Sequence, residues 1–432
     1  MIHETHIYSR RYGILAMFIF LSASNAMQWI EYSIIANIIA LFYSISYMMV
    51  DWTSMVYMVS YMLFILPASW ILDKYGLRVS VLLGAGGNCL GSWLKVLSAQ
   101  PDLFWLSFLG QTIVGSSQVF ILGIPPRLAA VWFGSKEIST ACAAGVFGNQ
   151  FGIAIGFLLP PLVVHMGTVE SMATELKTLF MISAIINSIV FLLIIFFFSK
   201  KPPLPPSIAH LQSIENTRDY LITLKEVIVN PSYLLLLISY GLNTGVFYAI
   251  STLLNQIILY YHPNEQKLSG TIGLILVVSG MVGSVLCGIF LDRFHRYKMT
   301  TLAVYFFSTI GMILFTVLIS LPQTWAIYIV AAILGFFMTG YLPIGFEFAA
   351  ELTYPIPEGT TSGLLNASAQ AFGVLMTLAM GQVIHKTSIF LCNIILSSIL
   401  VIGIILTAFI KADLRRQKAH RCIQYISTDI TQ

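Results

Sequence analysis

The sequence predicts an all-α integral membrane protein with twelve transmembrane helices in two pseudo-symmetric six-helix bundles. Three observations predict it. Hydrophobic residues make up 57% of the 432 and Asp, Glu, Lys and Arg only 9%, where a soluble chain carries about 25% charge. Apolar runs of about 20 residues, the length a helix needs to cross a hydrocarbon core, recur along the whole chain. One charged turn occurs twice, as Asp73-Lys74-Tyr75-Gly76-Leu77-Arg78 and as Asp292-Arg293-Phe294-His295-Arg296, and the spacing 292 − 73 = 219 is about half of 432. A duplicated half with a charged turn at matching positions is how alternating-access transporters are built.

The first six spans are expected at 12–40, 52–72, 79–98, 103–132, 138–165 and 176–199. The second six are expected at 232–260, 268–291, 299–320, 324–350, 359–385 and 387–410. Between the sets lies Lys200 to Asn230, rich in charge and in proline (Pro202, Pro203, Pro205, Pro206). It divides a first bundle, 1–199, from a second, 231–410, with 200–230 as a cytoplasmic linker and 411–432 as a cytoplasmic tail. The apolar run after the basic start is too long for a signal-peptide core and is expected to stay as the first helix.

Lys and Arg set the orientation. With the N-terminus inside, 18 of the 22 fall on the cytoplasmic side: Arg10, Arg11, Lys74, Arg78, Arg127, Lys136, Lys200, Lys201, Arg218, Lys225, Arg293, Arg296, Lys298, Lys411, Arg415, Arg416, Lys418 and Arg421. Lys95, Lys177, Lys267 and Lys386 fall outside. Both termini are then cytoplasmic. The five cysteines (Cys89, Cys142, Cys287, Cys392, Cys422) lie in apolar runs or the tail, so no structural disulfide is expected.

The repeat continues beyond the turn. Glu137 and Glu358 are 221 apart, as are Phe151-Gly152 and Phe372-Gly373. In the turn itself, an Asp at a helix end followed by an Arg closes a charge-assisted network between neighbouring helices. Breaking that network frees one half to rock, which gives Asp73, Arg78, Asp292 and Arg296 a gating role. The pattern resembles the signature loop of the major facilitator superfamily. Its leading Gly is Ser69 in the first copy and Gly288 in the second. His295 stands where the first copy has Gly76, so the second copy is degenerate.

Polar and aromatic residues deep in a span face a cavity more often than lipid. The candidates are Asn25, Gln28 and Trp29 in span 1, Gln118 in span 4, and Asn149 and Gln150 in span 5. In the second half they are Asn243, Tyr248 and Asn255 in span 7, and Asn366 and Gln370 in span 11. Trp29 and Tyr248 are 219 apart, and Asn149 and Gln370 are 221 apart. Two aromatics at equivalent depth with neutral amides suit a compact organic cation held by cation–π attraction, a quaternary ammonium best of all.

No Asp is expected mid-span. Glu31, Glu347 and Glu351 are the carboxylates within reach of a cavity, the last two near the cytoplasmic end of span 10. A proton-coupled carrier needs a buried titrating group, so a facilitator driven by the substrate gradient is expected. The histidines fall in loops, tails or helix ends. No metal cluster, nucleotide loop or nucleophile–base arrangement stands out, so neither an enzyme, a cofactor, a metal nor a nucleic-acid partner is expected. Asn366-Ala367-Ser368 fits the glycosylation pattern but lies inside span 11.

Several ordered words carry a closer resemblance: Asn25-Ala-Met-Gln-Trp-Ile30, Asp51-Trp-Thr-Ser-Met-Val-Tyr57, Gln118-Val-Phe-Ile-Leu-Gly123, Val131-Trp-Phe-Gly134, Glu137-Ile-Ser-Thr-Ala-Cys142, Gly148-Asn-Gln150 and Gly156-Phe-Leu-Leu-Pro-Pro161. Together they resemble the feline leukaemia virus subgroup C receptor-related family of the major facilitator superfamily. The resemblance covers essentially all twelve spans. It implies uptake of choline and ethanolamine at the plasma membrane by a monomer in the lipid bilayer. Haem export is the alternative substrate reading, and a non-transporting receptor or scaffold a further one. It also implies that Trp29 and Tyr248 hold the ammonium, with Gln118, Gln370 and Met58 beside them. Asn25 joins this binding set from the first of those words. Glu31 departs from the family pattern, where Gln is the more usual residue.

Overall fold

A computed structural model describes residues 6–134, 137–204, 220–356, 358–415 and 418. The linker interior 205–219, the tail from 419 with Arg421 and Cys422, and Lys136, Arg218 and Arg416 lie outside the described residues, as do the side chains of Asp73 and Asp292.

The described residues are helical throughout, without a strand. The first half contains α1 (Arg10–Ile30), α2 (Ala36–Tyr43), α3 (Tyr47–Tyr75), α4 (Leu77–Leu97), α5 (Phe104–Leu122), α6 (Ile124–Trp132), α7 (Ile138–Val163) and α8 (Val169–Phe197). After α9 (Tyr220–Val229) come α10 (Pro231–Tyr261), α11 (Gln266–Phe294), α12 (Tyr297–Leu318), α13 (Thr324–Thr353), α14 (Glu358–Lys386) and α15 (Ile389–Ala408).

Eleven segments are long and apolar enough to cross a membrane. The twelfth expected span is α4, which falls short because its inward face carries Asn88, Ser92 and Lys95, all fully buried. Two expected spans are broken helices. Span 4 breaks at Gly123, and α6 restarts with Pro125 in its first turn, where a missing N–H costs nothing. Span 1 breaks after Ile30 into a 3₁₀ turn, Ser33–Ile35, before α2, with neither Gly nor Pro at the break.

The chain forms two compact units. Unit 1 holds residues 1–217, 249–278 and 377–382; unit 2 holds 218–248, 279–376 and 383–432. In unit 1, α1 packs on α7, and α4 packs between α5 and α8. The α1–α7 seam depends on Gly152: a Cβ there would sit 2.2 Å from the carbonyl oxygen of Ala23. Small residues that let backbones touch are the usual glue between helices in lipid. In unit 2 the repeat-equivalent helices α10 and α14 meet in the same way, with a Cβ on Gly245 falling 2.9 Å from Phe372 Cβ.

Both charged turns carry a positive φ. Gly76 ends α3 at φ +86°, and His295, 295 − 76 = 219 residues on, ends α11 at φ +51°. The left-handed conformation is free for glycine and costs about 1–2 kcal/mol for a side chain. The degenerate second copy therefore keeps the turn and carries strain. Arg78 donates to the Ile195 carbonyl at 3.0 Å and Arg10 to that of Phe197 at 2.9 Å, so two arginines cap the last turn of α8. Arg296 immediately precedes α12.

Candidate binding residues and the buried network behind them

Trp29 lies in the last turn of α1 and is 5% exposed. Successive helix positions are about 100° apart, so Ser24, Gln28 and Glu31 form one row, and Asn25 and Trp29, four residues apart, lie to one side of it. That row meets Asn88, Ser92 and Lys95, a row of spacing four and three on α4. The Asn88 amide nitrogen donates to Ser24 and Asn187, and its oxygen accepts from Asn25 and Gln28 at 3.2 Å each. Asn187 of α8 accepts from Ser24 at 2.8 Å and donates to Ser92 at 3.0 Å. Lys95 Nζ donates to Gln28 Oε1 at 3.1 Å and to Glu31 Oε2 at 3.2 Å, with both ends of the ion pair buried.

This differs from two expectations. Lys95 does sit at the expected outer end of α4, but its side chain turns into the bundle and is 0% exposed, so it is not a loop charge. Glu31 is not a free carboxylate beside Trp29; it is neutralised by Lys95. The signal was present in the sequence as the two matching polar rows. It went unread because a lysine near a helix end is ordinarily solvated.

The break in span 1 is closed by Asn255. Its amide donates to the Ile34 carbonyl at 2.8 Å and accepts from the Asn37 N–H at 3.3 Å, pairing both groups that the interrupted helix leaves open. Gln111 of α5 donates to the Gln28 carbonyl at 2.9 Å near the end of α1. Asn255 shares its stretch of α10 with Thr252, bonded to Ser54 at 2.8 Å, and Gln256, which donates to Asp51 Oδ1 at 2.8 Å. Asp51 is the carboxylate that the sequence reading passed over. It lies in the second turn of α3, is 0% exposed, and has no partner on Oδ2. Asp51, Ser54 and Met58, at spacings of three and four, share one face of α3.

The other expected binding residues divide between the units. In unit 1, Met58 is 1% exposed on α3. Gln118 on α5 and Asn149 and Gln150 on α7 each carry a side-chain polar atom without a protein partner. Asn25 is spent inside the bundle, donating to Asn88 and to the Val114 carbonyl at 3.0 Å, with its oxygen unpaired. In unit 2, Tyr248 on α10 hydrogen-bonds with the side chain of Gln370 on α14, and Asn243 donates to the Met338 carbonyl at 3.1 Å. Glu347 and Glu351 lie on α13, Glu351 buried. No cluster of metal-ligating side chains occurs among the described residues.

Repeated bundles of membrane-length helices with buried polar residues define a helical membrane transporter. A sequence model of the Major Facilitator Superfamily matches residues 13–377. A choline/ethanolamine transporter of Danio rerio, flvcr2a, is 50% identical over 97% of this chain and 90% of its own. The Homo sapiens choline/ethanolamine transporter FLVCR2 is 47% identical over 95% of this chain and 79% of its own. A Caenorhabditis elegans protein described as an uncharacterized MFS-type transporter, C09D4.1, is 56% identical over 99% of this chain and 74% of its own. Among solved structures, the fucose transporter FucP in its outward conformation superposes with a TM-score of 0.66 at 14% identity, covering 93% of this chain and 99% of that one. A bacterial Spinster homologue in an inward-facing conformation gives 0.68 at 15% identity, covering 95% and 96%. The chain belongs to the major facilitator superfamily and, within it, to the feline leukaemia virus subgroup C receptor-related family.

Proposed function

We propose that the protein is a facilitative carrier of choline and ethanolamine in the plasma membrane, working by alternating access as a monomer with both termini cytoplasmic. The substrate class comes from the named relatives. The observation that carries the mechanism is the neutral aromatic character of the binding residues: Trp29 in one repeat, Tyr248 with Gln370 at the matching depth of the other, and the carboxylate nearest Trp29 in sequence neutralised by Lys95. An ammonium then meets ring faces and amide oxygens, with no full negative charge to bind it too tightly for release. Gln118 and Met58 complete this set, with Asn25 setting the α1–α5 contact behind it.

Gating follows from two regions. Asp51–Gln256, Ser54–Thr252 and the Asn255 bridge form a hydrogen-bonded seal at the outer ends of α2 and α3, and opening requires its release. Asp73, Arg78, Asp292 and Arg296 serve the cytoplasmic side, where turns in the left-handed conformation let the chain reverse between helices. Haem suits the site less well. Its propionates call for basic groups and its iron for an axial ligand, and the lysine beside α1 is already committed to Glu31.

The test is radiolabelled choline uptake into cells in sodium-free buffer, with wild type, Trp29→Ala and Tyr248→Ala at equal surface expression. A desolvated cation–π contact is worth about 2 kcal/mol, so each variant loses uptake about 30-fold, and Trp29→Phe keeps part of it. Undiminished uptake in both alanine variants would overturn the aromatic mechanism.

A further inference from the structure

The ion pair Glu31–Lys95 is unusual for its surroundings. Both side chains are buried, and a buried pair is expensive to form. Its position gives it a use. Glu31 follows the last residue of α1 and lies two residues after Trp29, where span 1 breaks. Lys95 lies in the last turn of α4, where a cation also meets the negative end of that helix. Lys95 Nζ binds Gln28 and Glu31 together and stands 5.2 Å from the Tyr32 ring centre. One ammonium thus holds the residues before, at and after the end of α1.

We propose that Lys95 is the internal counter-ion that positions the Trp29 turn and keeps the Glu31 charge out of the substrate site, so that transport of a permanent cation does not depend on pH. The inference rests on the carrier reading above. Besides Lys95, the titratable groups that bear on Glu31 are Tyr32 and Tyr57, with Tyr43 beyond Tyr32. Phenols ionise near pH ~10, so among the groups that bear on Glu31 only the two members of the pair change charge between about pH 5.5 and 8.5; Asp51 on α3 is a separate buried carboxylate retained in every variant, so each variant's profile is read against that of wild type.

The sign of the pH response separates a counter-ion from a packing residue. Lys95→Met leaves a buried carboxylate alone. Its neutral form is favoured by acid, so uptake recovers as pH falls. Glu31→Gln leaves a buried ammonium alone. Its neutral form is favoured by base, so uptake recovers as pH rises. The double variant Glu31→Gln/Lys95→Met has no charge to bury and restores a flat profile.

The experiment is choline uptake, normalised to surface protein, at external pH values of about 5.5 and 8.5. Choline is the right probe because its own charge does not titrate. Each single variant is expected to lose uptake about tenfold or more at its unfavourable pH, with opposite pH slopes, and the double variant to return within about threefold of wild type. Flat profiles in both single variants, or a double variant no better than either, would overturn the counter-ion role. If the single variants do not reach the surface, the double variant decides alone: near wild-type, pH-independent uptake supports the role and loss of uptake overturns it. Wild type that takes up no choline at either pH sinks the carrier reading instead.

Discussion

In unit 1, α1, α4 and α8 meet through Ser24, Gln28, Asn88, Ser92, Lys95 and Asn187. In unit 2, α10 and α12, the repeat counterparts of α1 and α4, meet α13, the counterpart of α5, through Tyr240, Tyr305 and Tyr341. The tyrosine ring centres are 5.7 Å apart for Tyr240–Tyr341 and 5.3 Å for Tyr305–Tyr341, and the Tyr305 hydroxyl donates to the Ser239 carbonyl at 2.8 Å. The α1–α4 pair and its counterpart α10–α12 thus face two different interiors. The first is directional: every member depends on the others, because an unpaired polar group in a dry bundle costs its full desolvation. The second is largely apolar area, with hydroxyl tips that need few partners. Duplication preserved the backbone contacts, and the two halves diverged in what fills them. Charge entered only one of these two interiors.

The comparison can be broken most forcefully at the glycine seams. Gly152→Ala puts a methyl against the Ala23 backbone, which cannot give way, and is expected to cost about 3 kcal/mol or more. Gly245→Ala meets Phe372 Cβ at 2.9 Å and the Phe372 backbone at 3.0 Å, farther than the 2.2 Å at Gly152, and is expected to cost less, about 1–2 kcal/mol. Thermal unfolding of detergent-purified protein ranks the two; an equal or reversed order would show that the seams do not bear unequal loads.

Next in size is the contrast between the interiors. Asn88→Ala strands the partners of four hydrogen bonds and should destabilise unit 1 by about 3 kcal/mol, whereas Tyr305→Phe removes one bond for about 1 kcal/mol. Hydrogen exchange resolved by segment would localise each loss, and matching losses would argue against the directional network.

The turns give an effect of opposite sign. His295→Gly relieves a left-handed side chain and is expected to stabilise by about 1 kcal/mol, while Gly76→Ala destabilises by a similar amount. A destabilised His295→Gly would mean that the imidazole makes a contact outweighing its strain.

The smallest effect belongs to Arg11–Glu137, an ion pair at 3.0 Å whose glutamate side chain is 43% exposed. Glu137→Gln should cost about 0.5 kcal/mol, less in high salt. A cost that salt leaves unchanged would show that the arginine is held by its stacking on Tyr12 and Phe133 rather than by charge.

Much of this was legible in the chain itself. The spans could be read because a helix in lipid must be apolar along its whole length, and eleven expected spans coincide with membrane-length helices, most within a few residues of their ends, α8 and α3 starting several residues earlier and α5 ending ten residues earlier at the Gly123 break. The repeat could be read because duplicated words survive where helices touch, as at Gly152 and Phe372. The break after Ile30 could not be read, since no Gly or Pro marks it and Asn255, more than 200 residues away in sequence, closes it. Asp51 was missed because it sits just before the apolar run expected from residue 52, where a carboxylate is ordinarily solvated, and only the fold puts Gln256 beside it.

The sequence by itself determined that this chain lives in a membrane and that it consists of two like halves, because hydrophobicity and repetition are sums over many residues. Only the tertiary structure decided what each buried polar group does. Whether Glu31 faces a substrate or a lysine depends on which residue of α4 stands opposite it, and a partner 64 positions away is set by helix packing, not by local sequence.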